Sequence, residues 1–194
     1  MDDKSDILRA ALHDLVIANH ILGNEGVVDA FGHVSIRHPE NPARYLLSRS
    51  RSPQLVEDAD ILEFDLDSNC IDDRGYRPYS ERFIHGSAYK ARSKVNAVCH
   101  SHAHELVPFT VTETVIRPIW VFSASIGPEV PIWEIRDDFP DETNMLIVND
   151  AIGESMCRTL GDKNAIVLRG HGAVIATPDI KNTVMVSIGL MTNA

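Results

Sequence analysis

The sequence predicts a layered α/β domain in which a sheet of short strands is covered by helices. Three observations carry this. Apolar residues recur at helical spacing near both ends and between them, short β-like runs bounded by turn-formers lie in the gaps, and no repeat, low-complexity tract or linker breaks the order. With 194 residues and 44% hydrophobic content, the chain can bury one substantial core, so a single domain over 1–194 is expected.

The elements follow in order. Leu8, Leu12, Leu15, Val16 and Ile21 predict an opening helix from Ser5 to about Leu22, with Ser5 as N-cap and Gly23 or Gly26 as its stop. Strands are expected over 33–37, 45–48 and 61–67, separated by turn-formers such as Pro39-Glu40-Asn41-Pro42 and Asp67-Ser68-Asn69. A helix fits 80–93, capped by Ser80 and burying Phe83, Ile84, Ala88 and Ala91. A strand over 95–102 comes next, then a short helix over 104–111 and strands over 118–123 and 130–136. Met145, Val148, Ile152 and Met156 predict a helix over 143–160, ended by Gly161. The run 165–177 is strand-like around a break at Gly170-His171-Gly172, and a last helix starts with Pro178 in its first turn.

Composition excludes several function classes. A formal net charge of -10 with no dense Lys/Arg run argues against a nucleic-acid partner. No apolar stretch is long enough to span a bilayer, and Met1-Asp2-Asp3-Lys4-Ser5 lacks the layout of a signal peptide, so a cytoplasmic location without a membrane partner is expected. Cys70, Cys99 and Cys157 are odd in number and unpaired in spacing, and read as reduced bystanders.

Chemistry concentrates at Val98-Cys99-His100-Ser101-His102. Strand side chains alternate faces, so His100 and His102 point the same way with Cα atoms roughly 6–7 Å apart, close enough for both imidazoles to bind one ion. His171, flanked by Gly170 and Gly172, is the third candidate, because the glycines let the backbone bend toward another element. Three histidines leave coordination positions open, as a catalytic ion requires. Each fragment alone has a plainer reading: a His-x-His pair can be a half-exposed surface pair, and Gly-His-Gly a turn with an incidental histidine. His104 reads as a polar surface residue, and His85 as a helix neighbour one turn after Glu81.

Taken together, Ser80-Glu81 opening a helix, Ala97-Val98-Cys99-His100-Ser101-His102, and Leu168-Arg169-Gly170-His171-Gly172 resemble the class II aldolase/adducin family over nearly the whole chain. That resemblance implies a three-layer α/β/α fold with a central, largely antiparallel sheet. It also implies a homotetramer with active sites at subunit interfaces and a divalent metal ion on His100, His102 and His171, with Glu81 as the acid/base. Zn or Mn is the expected ion, with Fe or Co as alternatives that three imidazoles also suit. Adducin-like members lack these ligands and are structural; this chain keeps all three, which separates an enzyme from a structural or interaction module.

Family aldolases that act on sugar phosphates cradle the phosphate with a Gly-Asn-x-Ser segment and a Thr-Pro-Ser/Thr-Gly segment. Here these read Gly32-His33-Val34-Ser35 and Leu47-Ser48-Arg49-Ser50-Arg51-Ser52. An arginine grips a carboxylate with two parallel hydrogen bonds, so a small-molecule carboxylate substrate is expected. With Arg77-Pro78-Tyr79-Ser80-Glu81, these departures resemble the branch that decarboxylates hydroxylated aromatic or heteroaromatic dicarboxylates, such as dihydroxyphthalate or a hydroxy-methylpyridine dicarboxylate. Aldol cleavage of a sugar phosphate is the runner-up. Either reaction breaks a C–C bond and leaves a carbanion-like centre, for which a divalent ion is the Lewis acid. In the decarboxylase reading His33, Ser48, Arg49 and Ser80 fix the substrate, and Glu81 protonates the vacated carbon with a pKa raised by burial against Phe83. Family members continue into a helical tail beyond the position of Ala194, so a missing C-terminal tail is also expected.

Overall fold

The computed structural model describes residues 5–140 and 143–194, so the opening Met1–Lys4 lies outside them. In chain order the elements are α1 (Asp6–Asn24), β1 (His33–Arg37), β2 (Arg44–Ser48), β3 (Ile61–Asp65), α2 (Phe83–Ala91), β4 (Ala97–Ser101), α3 (Val107–Val111), β5 (Ile132–Trp133), α4 (Ile135–Asp138), α5 (Asp150–Leu160), β6 (Ala165–Leu168), β7 (Gly172–Thr177) and α6 (Ile180–Asn193). The seven strands form one sheet in the order β3-β2-β1-β4-β7-β6-β5. Every pairing is antiparallel except β5 with β6.

The sheet separates two apolar cores, and strand alternation divides residues between them. Ala97 and Cys99 of β4 pack with α1 and α6, through Leu12, Leu15, Leu22, Val186 and Leu190. Val98 faces the other way, toward Ile84 and Ala88 of α2 and Met156 and Leu160 of α5. This is the expected α/β/α layering. No helix among the described residues is long and apolar enough to cross a membrane. The three cysteines are free, and burial pushes the Cys99 and Cys157 thiols up to about 12, so neither is a thiolate near neutral pH.

Several elements differ from the sequence expectation. The 118–123 run forms no strand. Its residues enter a 3-10 turn, Val121–Ile126, and leave Ile119, Val121 and Phe122 exposed, because the nearest pairing is a lone bridge from Ile116 to Val130. The 130–136 strand shrinks to β5, since the Glu134 side chain accepts the Arg136 N–H and starts α4. The 143–160 helix begins only at Asp150. Asn149 caps it by accepting from Ile152 N, and Met145, at φ 67, keeps the preceding segment out of helix.

Ser80 makes no cap: it opens a 3-10 turn, Ser80–Arg82, that runs into α2, and Ala91 is exposed rather than buried. The 95–102 strand is trimmed to β4. At the last helix, Asp179 accepts from Asn182 N as the cap, so Pro178 precedes the helix instead of lying in its first turn.

Candidate metal centre and substrate cavity

Strand β4 presents His100 on the same face as Val98, and His102 follows just past its end. His171 comes from the tight turn joining β6 to β7. Gly170 in that turn has φ +66, and a Cβ on Gly172 would stand 2.1 Å from the Ser101 carbonyl oxygen. Only glycine lets the turn lie flush on the end of β4. His102 Nε2 consequently stands 2.9 Å from His100 Nε2 and 3.2 Å from His171 Nε2.

Glu81 completes the group. Its backbone, at φ -91 and ψ 20, occupies the sparsely allowed bridge region where the 3-10 turn meets α2. Its Oε1 accepts the Ile147 N–H at 2.9 Å, which leaves Oε2 3.6 Å from both His100 Nε2 and His171 Nε2. The four ligand atoms all lie within 4.8 Å of one another.

The surrounding hydrogen bonds test whether these residues fit a cation. His100 Nδ1 is 3.1 Å from the Ala173 carbonyl oxygen, which can only accept, so this nitrogen carries the hydrogen. His102 Nδ1 likewise faces an Asp29 carboxylate oxygen at 3.0 Å. With Nδ1 engaged in these bonds, both rings turn Nε2 inward as the ligand atom, where a cation would satisfy both nitrogens. The N···N separations approach the roughly 3.3 Å set by two nitrogens at about 2.0–2.1 Å from one tetrahedral ion. The donor set fits a divalent metal. Asp29 is itself fixed by the N–H groups of Phe31 and Gly32, at 2.9 and 2.7 Å; burial raises its pKa, and these bonds together with His102 hold it below the ordinary value.

Glu81 is not raised in pKa, contrary to expectation. Burial does push it up, but the imidazoles of His100 and His171 lower it by more and hold the carboxyl well below its usual range. Its neighbours are the His100 and His171 rings and a backbone N–H, so it rests as an anion.

Beside the centre opens a cavity of about 510 Å³ whose wall includes His33, Ser50, Arg77, Tyr79, Ser80 and Leu146. Of the four residues expected to contact substrate, His33 and Ser80 lie in this wall, and Ser48 and Arg49 do not. Ser48 is buried at the end of β2. Arg49 is engaged elsewhere: its Nε donates to Asp60 Oδ1 at 2.6 Å, and Arg51 Nη1 donates to Asp60 Oδ2 at the same distance. The Arg49 guanidinium also lies over the Tyr76 ring at 4.7 Å. The free cation of the cavity is Arg77, with which no carboxylate pairs among the described residues. Sequence reasoning missed Arg77, Ser50, Tyr79 and Asp29. Arg77 lies in the quoted run before Glu81, whereas Asp29 carried no signal short of its contact with His102. His85 is no mere helix neighbour: it is fully buried and points at the sheet, bonded to His33 and Ser35.

Comparison with known proteins agrees with this geometry. Decarboxylase tropJ of Talaromyces stipitatus is 29% identical over 187 residues, covering 90% of this chain and 70% of the relative. The 3,4-dihydroxyphthalate decarboxylase of Arthrobacter keyseri is 29% identical over 195 residues, covering 93% and 74%. In fold, an aldolase II superfamily protein from Pseudomonas syringae superposes with a TM-score of 0.83 at 19% identity, over 99% of this chain and 75% of the other. The model of the class II aldolase and adducin N-terminal domain matches residues 13–194, and the chain belongs to that family.

Proposed function

We propose that the protein is a metal-dependent carbon-carbon lyase that decarboxylates a hydroxylated aromatic or heteroaromatic carboxylate. The observation that carries this is a guanidinium unpaired among the described residues, Arg77, in the same cavity wall as Glu81, His102 and His171. The names of the two decarboxylase relatives support the same reaction class.

When bound on His100, His102 and His171, a divalent ion supplies Lewis acidity that stabilises negative charge on a substrate oxygen beside the breaking bond. Arg77 grips a substrate carboxylate with two parallel N–H donors, while the Ser50 and Ser80 hydroxyls hydrogen-bond the remaining oxygens. Glu81 rests ionised, so it first takes the proton of the ring hydroxyl. When the C–C bond breaks, its electron pair stays on the ring and CO2 departs. Glu81 then returns that proton to the vacated carbon, and the product phenolate regains one from water. Leu146 supplies an apolar surface for the ring.

The exposed Ile119, Trp120, Val121 and Phe122 support a contact between subunits, for which a homotetramer is the assembly proposed. The deciding experiment incubates metal-loaded protein with hydroxyaromatic dicarboxylates and, separately, with ketose phosphates. Release of CO2 in the first is the expected result; aldehyde from the second without any CO2 replaces this reading with an aldolase.

A further inference from the structure

Behind the cavity wall, a row of polar side chains runs from the metal centre into the core between β1 and α2. His33 Nδ1 lies 2.7 Å from His85 Nε2, His85 Nδ1 lies 2.5 Å from Ser35 Oγ, and Ser35 Oγ lies 2.7 Å from the Tyr89 hydroxyl. All four side chains are buried, at 1% exposure or less. His33 is also the point where the row meets the centre, its ring 5.2 Å from that of His100 and 4.4 Å from Tyr79.

The row has a dead end. Among the described residues the Tyr89 hydroxyl meets the Ser35 hydroxyl and the Val98 backbone, whose bond lowers the phenol pKa as an N–H donor does, and nothing beyond it accepts a hydrogen. Burial pushes the phenol up, so it stays protonated, and the Arg37 guanidinium over its ring, 4.9 Å from the centroid, is no acceptor. A buried donor without an acceptor is far rarer than an unused lone pair. The hydrogens must then all point outward. Tyr89 donates to Ser35, Ser35 donates to His85 Nδ1, and His85 carries its hydrogen on Nε2 and donates to His33 Nδ1. The reverse order strands one hydroxyl hydrogen in the core. In this order each ring accepts at Nδ1 and carries its one hydrogen on Nε2, so both are neutral.

A neutral His33 that accepts at Nδ1 has its hydrogen on Nε2, at the other edge of a ring that lines the cavity. No protein group accepts from that edge among the described residues, and Nε2 is not among the buried atoms left without a partner. We propose that Tyr89, Ser35 and His85 are positioning residues that lock His33 as its Nε2–H tautomer, making it a fixed hydrogen-bond donor to an anionic substrate oxygen beside the metal centre. The ligand class, a carboxylate or ionised ring hydroxyl, rests on the function proposed above; the tautomer does not.

The test uses protein labelled with 15N-histidine and loaded with diamagnetic zinc, with the His33 and His85 signals identified by their loss in His33→Gln and His85→Gln. Long-range 1H–15N spectra of the resting protein are expected to place the hydrogen of both rings on Nε2. A hydrogen on Nδ1 of either ring, or on both nitrogens of His33, overturns the proposal. Adding 2-hydroxybenzoate, a chelating hydroxy-carboxylate, is expected to shift the His33 Nε2–H proton downfield; saturation with the probe and no such shift overturns the donor role. Among variants, His85→Met removes the bond to His33 Nδ1, whereas the amide N–H of His85→Gln can still donate to it. With zinc content unchanged, the Kd for 2-hydroxybenzoate is expected to rise about tenfold in His85→Met and to return within about threefold in His85→Gln, as one charge-assisted hydrogen bond predicts. Equal affinities in wild type and His85→Met overturn the relay. A protein that passes these tests but releases no CO2 from any hydroxyaromatic carboxylate would refute the proposed reaction and leave the tautomer assignment standing.

Discussion

The end of β4 and the loop after β2 both put conspicuous polar residues near the cavity, and they balance their charges in opposite ways. At β4 the three imidazoles and Glu81 face one another with no protein cation between them among the described residues, so the group is complete only with something from outside. In the loop, Arg49 and Arg51 share one buried carboxylate, Asp60, whose side chain is 4% exposed, and the cluster is satisfied within the chain. Burial raises the Asp60 pKa, and Arg49, the Glu57 N–H and Arg51 lower it by more. A polar cluster marks a binding site when its partners are missing from the fold. Where they are present, it marks a structural clasp.

Breaking the β4 group has the largest expected effect. His102→Ala removes one of three nitrogens and frees Asp29, so metal and activity fall together: metal analysis after dialysis should find far less than one ion per chain, with turnover at background. Full metal occupancy in this variant would place the ion elsewhere. Next is Glu81→Gln, which keeps the Ile147 N–H bond through its amide oxygen but can no longer carry a proton. Metal content should stay near wild type while kcat falls about 10²–10⁴-fold. Near-normal turnover would remove Glu81 from proton transfer.

Arg77→Ala sharpens the comparison at the cavity itself. Losing a bidentate charged contact should raise KM for a carboxylate substrate about 10–100-fold, with a smaller change in kcat. An unchanged KM would mean that the substrate anion is held by other groups.

These contrasts also show what a sequence can and cannot reveal. The His-x-His spacing on a strand and the glycines around His171 are local features with local geometric consequences, so the convergence of His100, His102 and His171 was legible. The layered fold followed from periodicity in the same way, with β1 matching the expected 33–37 run. What failed was set by distant partners. The apolar spacing of Met145 and Val148 imitates a helix, but Ile147 gives its N–H to Glu81 and Asn149 begins the helix later. The pKa of Glu81 was misjudged because burial could be anticipated and the two adjacent imidazoles could not be weighed against it. Arg49 lies outside the cavity wall and pairs with Asp60, eleven residues on, a pairing that leaves no trace in spacing or composition. The row from His33 to Tyr89 was invisible for the same reason: its members come from β1 and α2, some fifty residues apart.

The smallest effect on catalysis is expected where the clasp is cut. Arg49→Ala should leave KM within about twofold, because the guanidinium lies outside the cavity wall and its Nε–H is already given to Asp60. Asp60→Asn should instead lower Tm by about 2–8 °C near neutral pH, since it takes the charge from between two arginines. The sign of its pH dependence follows from the direction of the shift. Asp60 is held below its ordinary value in the folded protein, so its contribution is fully present above the unfolded value of about 3.9 and fades as pH falls through the folded one. The Tm gap between wild type and Asp60→Asn should be widest above about pH 5 and shrink below about pH 4. A gap that does not change with pH would mean that shape and hydrogen bonding at Asp60, not its charge, hold the loop in place.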